Sequence, residues 1–343
     1  MRPRLKALVS VLLVALLLWR VDVAEVVRVL AVASPGLMAL AGLLFFLMHV
    51  LNALKLRVLL PELRAGRLLA YTLVAQLYAL VLPGQLAGEA VKAYRLSRDE
   101  GRGEGQGEIG SGRIVSAVAF DKVTGIAGLL LLTGSGLAVQ SARFGDGLLV
   151  AVVLVLAGLV AATALLAWAP ARTLLLGLLG WRAGPKREAW LLGPLRRFLE
   201  AWRDQARRPG RALLSVAVGI AVQVAAVAGS QSLGLAVGID QPFSVWSAVI
   251  GLMSVIVLMP VTVAGIGLRE ASLVGLLDLV GVPHAQSLAL GFGILAFQAM
   301  VALLGAVIDL TVLRSRPGAG PREGVGGIDW NAQPPTRIPA DDR

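Results

Sequence analysis

The chain has 343 residues, of which 57% are hydrophobic and 15% charged, with a mean hydropathy of +0.79. Soluble domains average about 45–50% apolar and about 25% charged residues, so a soluble enzyme and a nucleic-acid-binding module are both excluded for the whole chain. The net charge of +11 does not restore the nucleic-acid reading, because the basic residues lie in short connections between apolar blocks, where membrane topology places them.

The first element is the apolar run Ala7–Trp19, preceded by the basic arm Met1–Lys6. This start resembles a secretory signal, and Ala31-Val32-Ala33 resembles a cleavage site. Arg20, Asp22, Glu25 and Arg28 lie between the two, too long and too polar a gap for a cleavage region, so an uncleaved first membrane helix is expected. Further apolar blocks follow at Gly36–Leu51, 68–96, Ile114–Leu132, Gly147–Ala169, Ala212–Val237, 244–282 and Ala285–Leu313. About 20 apolar residues span a bilayer, so several blocks are long enough to cross. Cysteine is absent and only His49 and His284 are present. No disulfide, thiol nucleophile, cysteine-bound metal or histidine-rich centre is expected, and no cofactor is implied.

Basic residues refine the topology. Lys55, Arg57, Arg64 and Arg67 precede block 68–96, and Lys92, Arg95, Arg98, Arg102 and Arg113 follow or close it. If every block crossed once, these two groups would face opposite sides, against the positive-inside rule. The conflict disappears if 68–96 enters and returns to the cytoplasmic face. Parity then puts 139–146 outside, 170–211 with its ten basic residues inside, and 238–243 outside. A cytoplasmic tail carrying Arg314, Arg316 and Arg322 requires 244–282 to return to its own side as well. The expected fold class is therefore an all-α polytopic membrane protein with about six spanning helices and two re-entrant or returning hairpins. Each half, about 1–138 and 147–313, reads span, span, hairpin, span in opposite orientations, the inverted-topology repeat of secondary transporters. Residues 1–313 form one membrane domain with a cytoplasmic interfacial insert at 170–211. Both termini are expected in the cytoplasm of a bacterial cell, with the chain in its inner membrane.

The connections say less. Residues 97–113 contain Gly105-x-Gly107-x-x-Gly110, formally a dinucleotide fingerprint, but no strand precedes it and a flexible linker is expected. Residues 188–203 place Leu191, Leu195, Phe198, Leu199 and Trp202 on one stripe beside Arg196, Arg197 and Arg203. That pattern predicts a helix on an anionic leaflet, with packing on other loops as the alternative. The Pro/Gly-rich tail, 314–343, reads as disordered.

Ionisable residues inside membrane segments cost about 2.5–3.5 kcal/mol each at the centre on insertion scales, and they mark functional sites. Glu89 and Lys92 lie three apart on a helix and can pair. Arg269 and Glu270 follow Pro260–Gly267, and Asp121 and Lys122 interrupt the run Ile114–Leu132. The bland alternative for each set is a self-neutralising pair that locks helices together. Asp278 and Asp309 stand more alone, near segment ends. Pro83-Gly84-Gln85-Leu86-Ala87-Gly88 and Pro260-Val261-Thr262-Val263-Ala264-Gly265 share P-x-x-x-A-G in mid-hairpin. A helix started by proline inside the membrane presents free N–H groups and a positive dipole end, which suit phosphate. The expected substrate contacts are Pro83, Gly84, Gly88, Glu89, Lys92, Asp121, Lys122, Pro260, Thr262, Gly265, Gly267, Arg269 and Glu270. Both hairpin sets are expected to face one shared polar cavity near mid-membrane.

These residues, in this order, resemble the flippase-like membrane domain typified by the transmembrane region of lysylphosphatidylglycerol synthases. The resemblance covers most of residues 5–313, and its most specific element is Gly265-Ile266-Gly267-Leu268-Arg269-Glu270. Ala264 stands where a second glycine is common, and Lys122 where arginine is usual. The resemblance implies a protein that moves or presents lipids in the bacterial envelope. The synthases add a soluble aminoacyl-transfer domain; here a short polar stretch follows the last apolar block, so lysyl transfer is not expected.

The leading expectation is a lipid translocase for an anionic or phosphate-bearing lipid and not an enzyme; no Walker motif is present, so any energy must come from a gradient or a downhill substrate. Glu89 and Glu270 are candidates for proton coupling, and Lys92 and Arg269 for headgroup contact. The alternative is a non-catalytic membrane partner that scaffolds a glycosyltransferase or lipid-modifying enzyme. A third possibility is an intramembrane transferase using Glu89 or Asp121 as base. Membrane lipids are the expected partners, and nucleic acid is not.

Overall fold

The computed structural model describes residues 23–82, 87–100, 110–168, 185–258 and 265–313. Within them the chain is helical throughout: α1 (Val23–Ala31), α2 (Pro35–Leu59), α3 (Ala65–Val81), α4 (Ala87–Glu100), α5 (Ser111–Val139), the single turn α6 (Ser141–Phe144), α7 (Asp146–Ala167), α8 (Pro185–Ala206), α9 (Pro209–Ala236), α10 (Phe243–Val257), α11 (Leu268–Asp278) and α12 (His284–Ile308), which runs on into a π-helical turn, Asp309–Leu313. Five helices are long and apolar enough to cross a membrane: α2, α5, α7, α9 and α12. This is an all-α polytopic membrane protein. The expected first crossing, Ala7–Trp19, lies outside the described residues.

Proline sets several starts. Pro35 and Pro209 open α2 and α9 at the first turn, where the missing N–H leaves nothing unpaired. Inside the membrane lipid tails are as apolar as leucine, so helices associate through close contact and polar links instead. The crossing of α5 and α9 follows this rule. A Cβ on Gly128 would stand 2.8 Å from the Gly219 carbonyl carbon, so backbones meet there without side chains between them. One turn away, the Thr124 and Ser215 hydroxyls are 2.9 Å apart.

Two contacts bring together the ends of the α3–α4 and α10–α11 segments. Arg113, in the first turn of α5, donates to Glu62 in the turn before α3 at 2.6 Å. The chain therefore enters and leaves the α3–α4 segment at one end of the bundle. At the other end, a Cβ on Gly238 would lie 3.2 Å from the Gln286 amide nitrogen. The end of α9 and the start of α12 meet there, so the α10–α11 segment also begins and ends together. Gln140, just past α5, donates to Ser244 of α10 at 2.8 Å, which shows that α5 connects the two ends.

The apolar interior falls into two clusters. One, built on Leu56, Leu59, Leu68, Tyr71, Leu96, Ile114, Phe120 and Trp202, fills the Arg113 end. The other, around Leu137, Leu233, Trp246, Val249, Leu273 and Leu288, fills the Gln140 end. Phe198 and Trp202 of the α8 stripe pack into the first. Leu199 and Trp202 are buried, and the Trp202 ring meets Phe120 edge-on at 5.2 Å. The expectation that this stripe faces a leaflet is corrected at these positions: it faces protein. Leucine and tryptophan at helical spacing serve either surface, and only the neighbouring helix decides.

Candidate functional site

Between the two apolar clusters lies a cavity of about 250 Å³. Its position follows from helix arithmetic. α5 has 29 residues with Gly125 at its middle, and α9 has 28 with Val222 and Gln223 at its middle. Met48 of α2 and Gln298 of α12 sit within a residue or so of their helix centres. All five line the cavity. At about 1.5 Å rise per residue, the middle of a 29-residue helix is about 21 Å from either end. Four spans thus present their midpoints to one polar chamber.

Ionisable side chains from both halves of the chain share this chamber: Lys55, Glu89, Asp121, Lys122 and Arg269. Lys55 extends from α2 to α5, where its ammonium is 3.4 Å from the Asp121 carboxylate and donates to the Asp121 backbone carbonyl at 2.8 Å. Glu89 and Lys92, one turn apart on α4, pair at 2.6 Å. Lys92, Asp121, Arg269 and Glu270 are only 1–4% exposed. Charges so deeply buried persist only when neighbours compensate for the loss of water.

The local backbone explains how the two hairpins reach the chamber. A Cβ on Gly88 would collide with the Ala75 carbonyl, so glycine lets α4 lie directly on α3 and turns Glu89 toward the cavity. Gly265 and Gly267 have φ of 77° and 83°, the left-handed region that costs side-chain-bearing residues most. They aim the start of α11 inward. There the Glu270 carboxylate accepts from the Gly267 N–H at 2.7 Å, satisfying one of the orphan donors of the helix start. Pro83, Gly84, Pro260 and Thr262 lie outside the described residues.

Several sequence expectations change here. Asp121 does not form a self-contained pair with Lys122. Successive residues on a helix point in different directions, and the partner of Asp121 is Lys55. Lys92 is committed to Glu89 and is not part of the cavity wall, and Glu270 is committed to capping α11. Asp278 and Asp309 are not alone: Asp278 meets His284 at 3.1 Å, and Asp309 accepts from Arg95, whose second nitrogen donates to Tyr78 at 2.7 Å. Among the described residues, no group of three or more metal-ligating side chains occurs.

Residues 5–305 match the family described as the lysylphosphatidylglycerol synthase TM region. The chain belongs to that family. No curated protein and no solved structure gives a match.

In this member of the lysylphosphatidylglycerol synthase transmembrane-region family, the cavity residues that sequence reasoning missed include Lys55 and the carboxamides Asn52, Gln76, Gln223 and Gln298. In the sequence Lys55 reads as one of the basic residues preceding block 68–96, whereas α2 runs on through Leu59. Counting 25 residues from the proline that opens α2 would have placed Lys55 inside the span. The amides interrupt apolar runs as plainly as the charges do, but carry no charge to draw attention.

Proposed function

We propose that this protein is a lipid translocase of the bacterial inner membrane, moving an anionic or phosphate-bearing lipid between leaflets without ATP. The observation that carries the reading is the mid-depth cavity to which both hairpins contribute, through Glu89 and Arg269. A lipid headgroup crossing a bilayer needs polar contacts at the depth where water is absent, because unpaired polar groups cost several kcal/mol there. Lys122 and Arg269 offer positive charge to a phosphate, while the acyl chains remain in lipid. The Lys55–Asp121 and Glu89–Lys92 pairs keep the neighbouring charges matched.

The coincident ends of the α3–α4 and α10–α11 segments support an inverted repeat of 1–138 and 147–313, and the bias of basic residues supports cytoplasmic termini. In that arrangement the two halves exchange access to the cavity by rocking about the mid-membrane axis. An enzymatic role for Glu89 or Asp121 has less behind it, since each carboxylate lies against a lysine. A scaffold for a glycosyltransferase draws support from α7, on which Val152 is the buried residue while Val150, Val153, Leu154, Val155 and Val160 face outward.

Reconstitution of the purified protein into liposomes with a fluorescent phosphatidylglycerol separates these readings. Leaflet exchange by the protein alone is expected. Exchange that needs a second protein would favour the scaffold, and a covalently altered lipid would favour a transferase.

A further inference from the structure

The last helix of each half reaches across to the hairpin of the other. α12 packs on α3, and α5 packs on α10. The two crossings are built alike. A Cβ on Gly305 of α12 would stand 2.8 Å from the Leu73 carbonyl carbon of α3, and a Cβ on Gly136 of α5 would stand 2.6 Å from the Ser244 carbonyl oxygen of α10. Backbone therefore lies on backbone at both places. One turn beyond each glycine, a polar side chain closes the crossing: Asp309 follows Gly305, and Gln140 follows Gly136.

The two closures differ in charge. At the Arg113 end, Asp309 is 3% exposed and engages Arg95 of α4 through both carboxylate oxygens. Tyr78 of α3 completes a triangle. Its hydroxyl accepts from Arg95 at 2.7 Å and donates to Asp309 at 3.3 Å. α12 passes into its π-helical turn at Asp309 itself, and such turns are rare and recur at functional sites. At the Gln140 end, the half-buried Gln140 donates to the Ser244 hydroxyl at 2.8 Å. Arg143 nearby is exposed and reaches Gln241 only at 3.5 Å, the outer limit of a hydrogen bond.

We infer that Arg95, Asp309 and Tyr78 form a clamp holding the first hairpin on α12, so that at rest the cavity opens more readily toward the Gln140 end than toward the Arg113 end. The inference rests on reading the two halves as an inverted repeat that rocks. Each closure joins one half to the other, so rocking in either direction breaks one of them and keeps the other. Hydrogen bonds between ionised partners are roughly twice as strong as neutral ones, and the Gln140–Ser244 contact therefore yields first. The first hairpin moves as a body, because α4 lies directly on α3 at Gly88 and Tyr71 donates to Asp99 at 2.7 Å. Clamp and cavity share their helices: Gln76 of α3, Glu89 of α4 and Gln298 of α12 line the cavity. Along α4 and α12 the clamp residues lie about 9 Å and about 16 Å from Glu89 and Gln298, toward the Arg113 end. Parting the clamp separates that wall.

The test measures how fast a cysteine in the cavity reacts with an impermeant thiol reagent applied to one face of sealed vesicles. Met48→Cys places it on the wall of a chain that has no other cysteine. Asp240→Cys and Glu62→Cys, each alone, mark the two faces. Labelling from the Asp240 face is expected to be about fivefold faster or more, following the unequal strength of the closures. Adding Asp309→Asn should raise the rate from the Glu62 face by about tenfold, as the loss of a charged hydrogen bond implies, without raising it from the Asp240 face. Tyr78→Phe keeps the ring and removes the bridging hydroxyl. It should raise the Glu62-face rate about threefold, and it serves if Asp309→Asn does not fold. Equal labelling from both faces, faster labelling from the Glu62 face, no labelling from either, or an unchanged Glu62-face rate in a folded clamp variant would overturn the inference. Labelling needs no lipid movement, so the two readings fail separately. A face preference that Asp309→Asn abolishes, without leaflet exchange, would sink the translocase reading and leave the clamp standing; exchange with equal labelling of both faces would do the reverse.

Discussion

Lys55 reaches from α2 to Asp121 of α5 and engages it twice, through the carboxylate at 3.4 Å and the backbone carbonyl at 2.8 Å. The two side chains are 3% and 6% exposed, and they join helices 66 residues apart in the chain. Removing one partner leaves an uncompensated buried charge, at a cost of about 3–5 kcal/mol. Asp121→Ala should therefore lower the melting temperature sharply in detergent. The Lys55→Met/Asp121→Leu double variant should recover most of the loss, because apolar replacement of both partners removes the stranded charge. A double variant no more stable than Asp121→Ala would show that the pair is not coupled.

Arg269 and Glu270 are neighbours with different work. Arg269 lines the cavity, and Glu270 caps the start of α11. Arg269→Ala should preserve expression and folding yet abolish leaflet exchange, whereas Glu270→Ala should lower stability by at least the roughly 1 kcal/mol of a lost cap, since it also removes the carboxylate nearest the buried Arg269. Thermal melts and exchange rates on both variants separate the two effects. Loss of folded protein on Arg269→Ala would assign that arginine a structural role.

Arg95 ties the first hairpin to the far end of α12. It engages Asp309 and Tyr78 together, and its guanidinium lies 5.1 Å from the Tyr78 ring centroid. Hydrogen bonds to charged groups contribute about 1.5–3 kcal/mol, so Asp309→Ala should free α4 to open locally. Amide hydrogen exchange in α4 should accelerate by about tenfold or more while α9 is unaffected. Unchanged exchange in α4 would mean that packing alone holds the hairpin.

Topology has a direct readout in a chain without cysteine. Glu62 lies at one end of the bundle beside Arg113, and Asp240 is exposed at the other, in the turn after α9. An impermeant thiol reagent on intact cells should label Asp240→Cys and spare Glu62→Cys. Labelling of both, or the reverse pattern, would contradict the orientation.

Much of this arrangement was legible in the sequence, for physical reasons. Charge parity asks Arg64 and Arg113 to share a side, and the Arg113–Glu62 contact brings the two ends of the α3–α4 segment together. The recurrence of P-x-x-x-A-G in the sequence points to Glu89 and Arg269 as counterparts, and both line the cavity. Pairing was less legible. The spacing of Glu89 and Lys92 announces a contact, while nothing local to Asp121 points to a lysine on another helix. The carboxamides stayed hidden because a lone glutamine in an apolar run resembles a tolerated surface residue until its three counterparts are seen around it. The stripe of α8 shows the same limit: lipid and protein ask for the same side chains.

The central claim is that a lipid headgroup passes through the cavity between Lys122 and Arg269. The most direct measurement is leaflet exchange of fluorescent phosphatidylglycerol in proteoliposomes, read by chemical quenching of the outer leaflet, with the Lys122→Met/Arg269→Met double variant reconstituted alongside. The account predicts rapid exchange with the unmodified protein, and exchange no faster than in protein-free liposomes with a folded double variant. Equal exchange by the two proteins, or none by the unmodified protein, would contradict it.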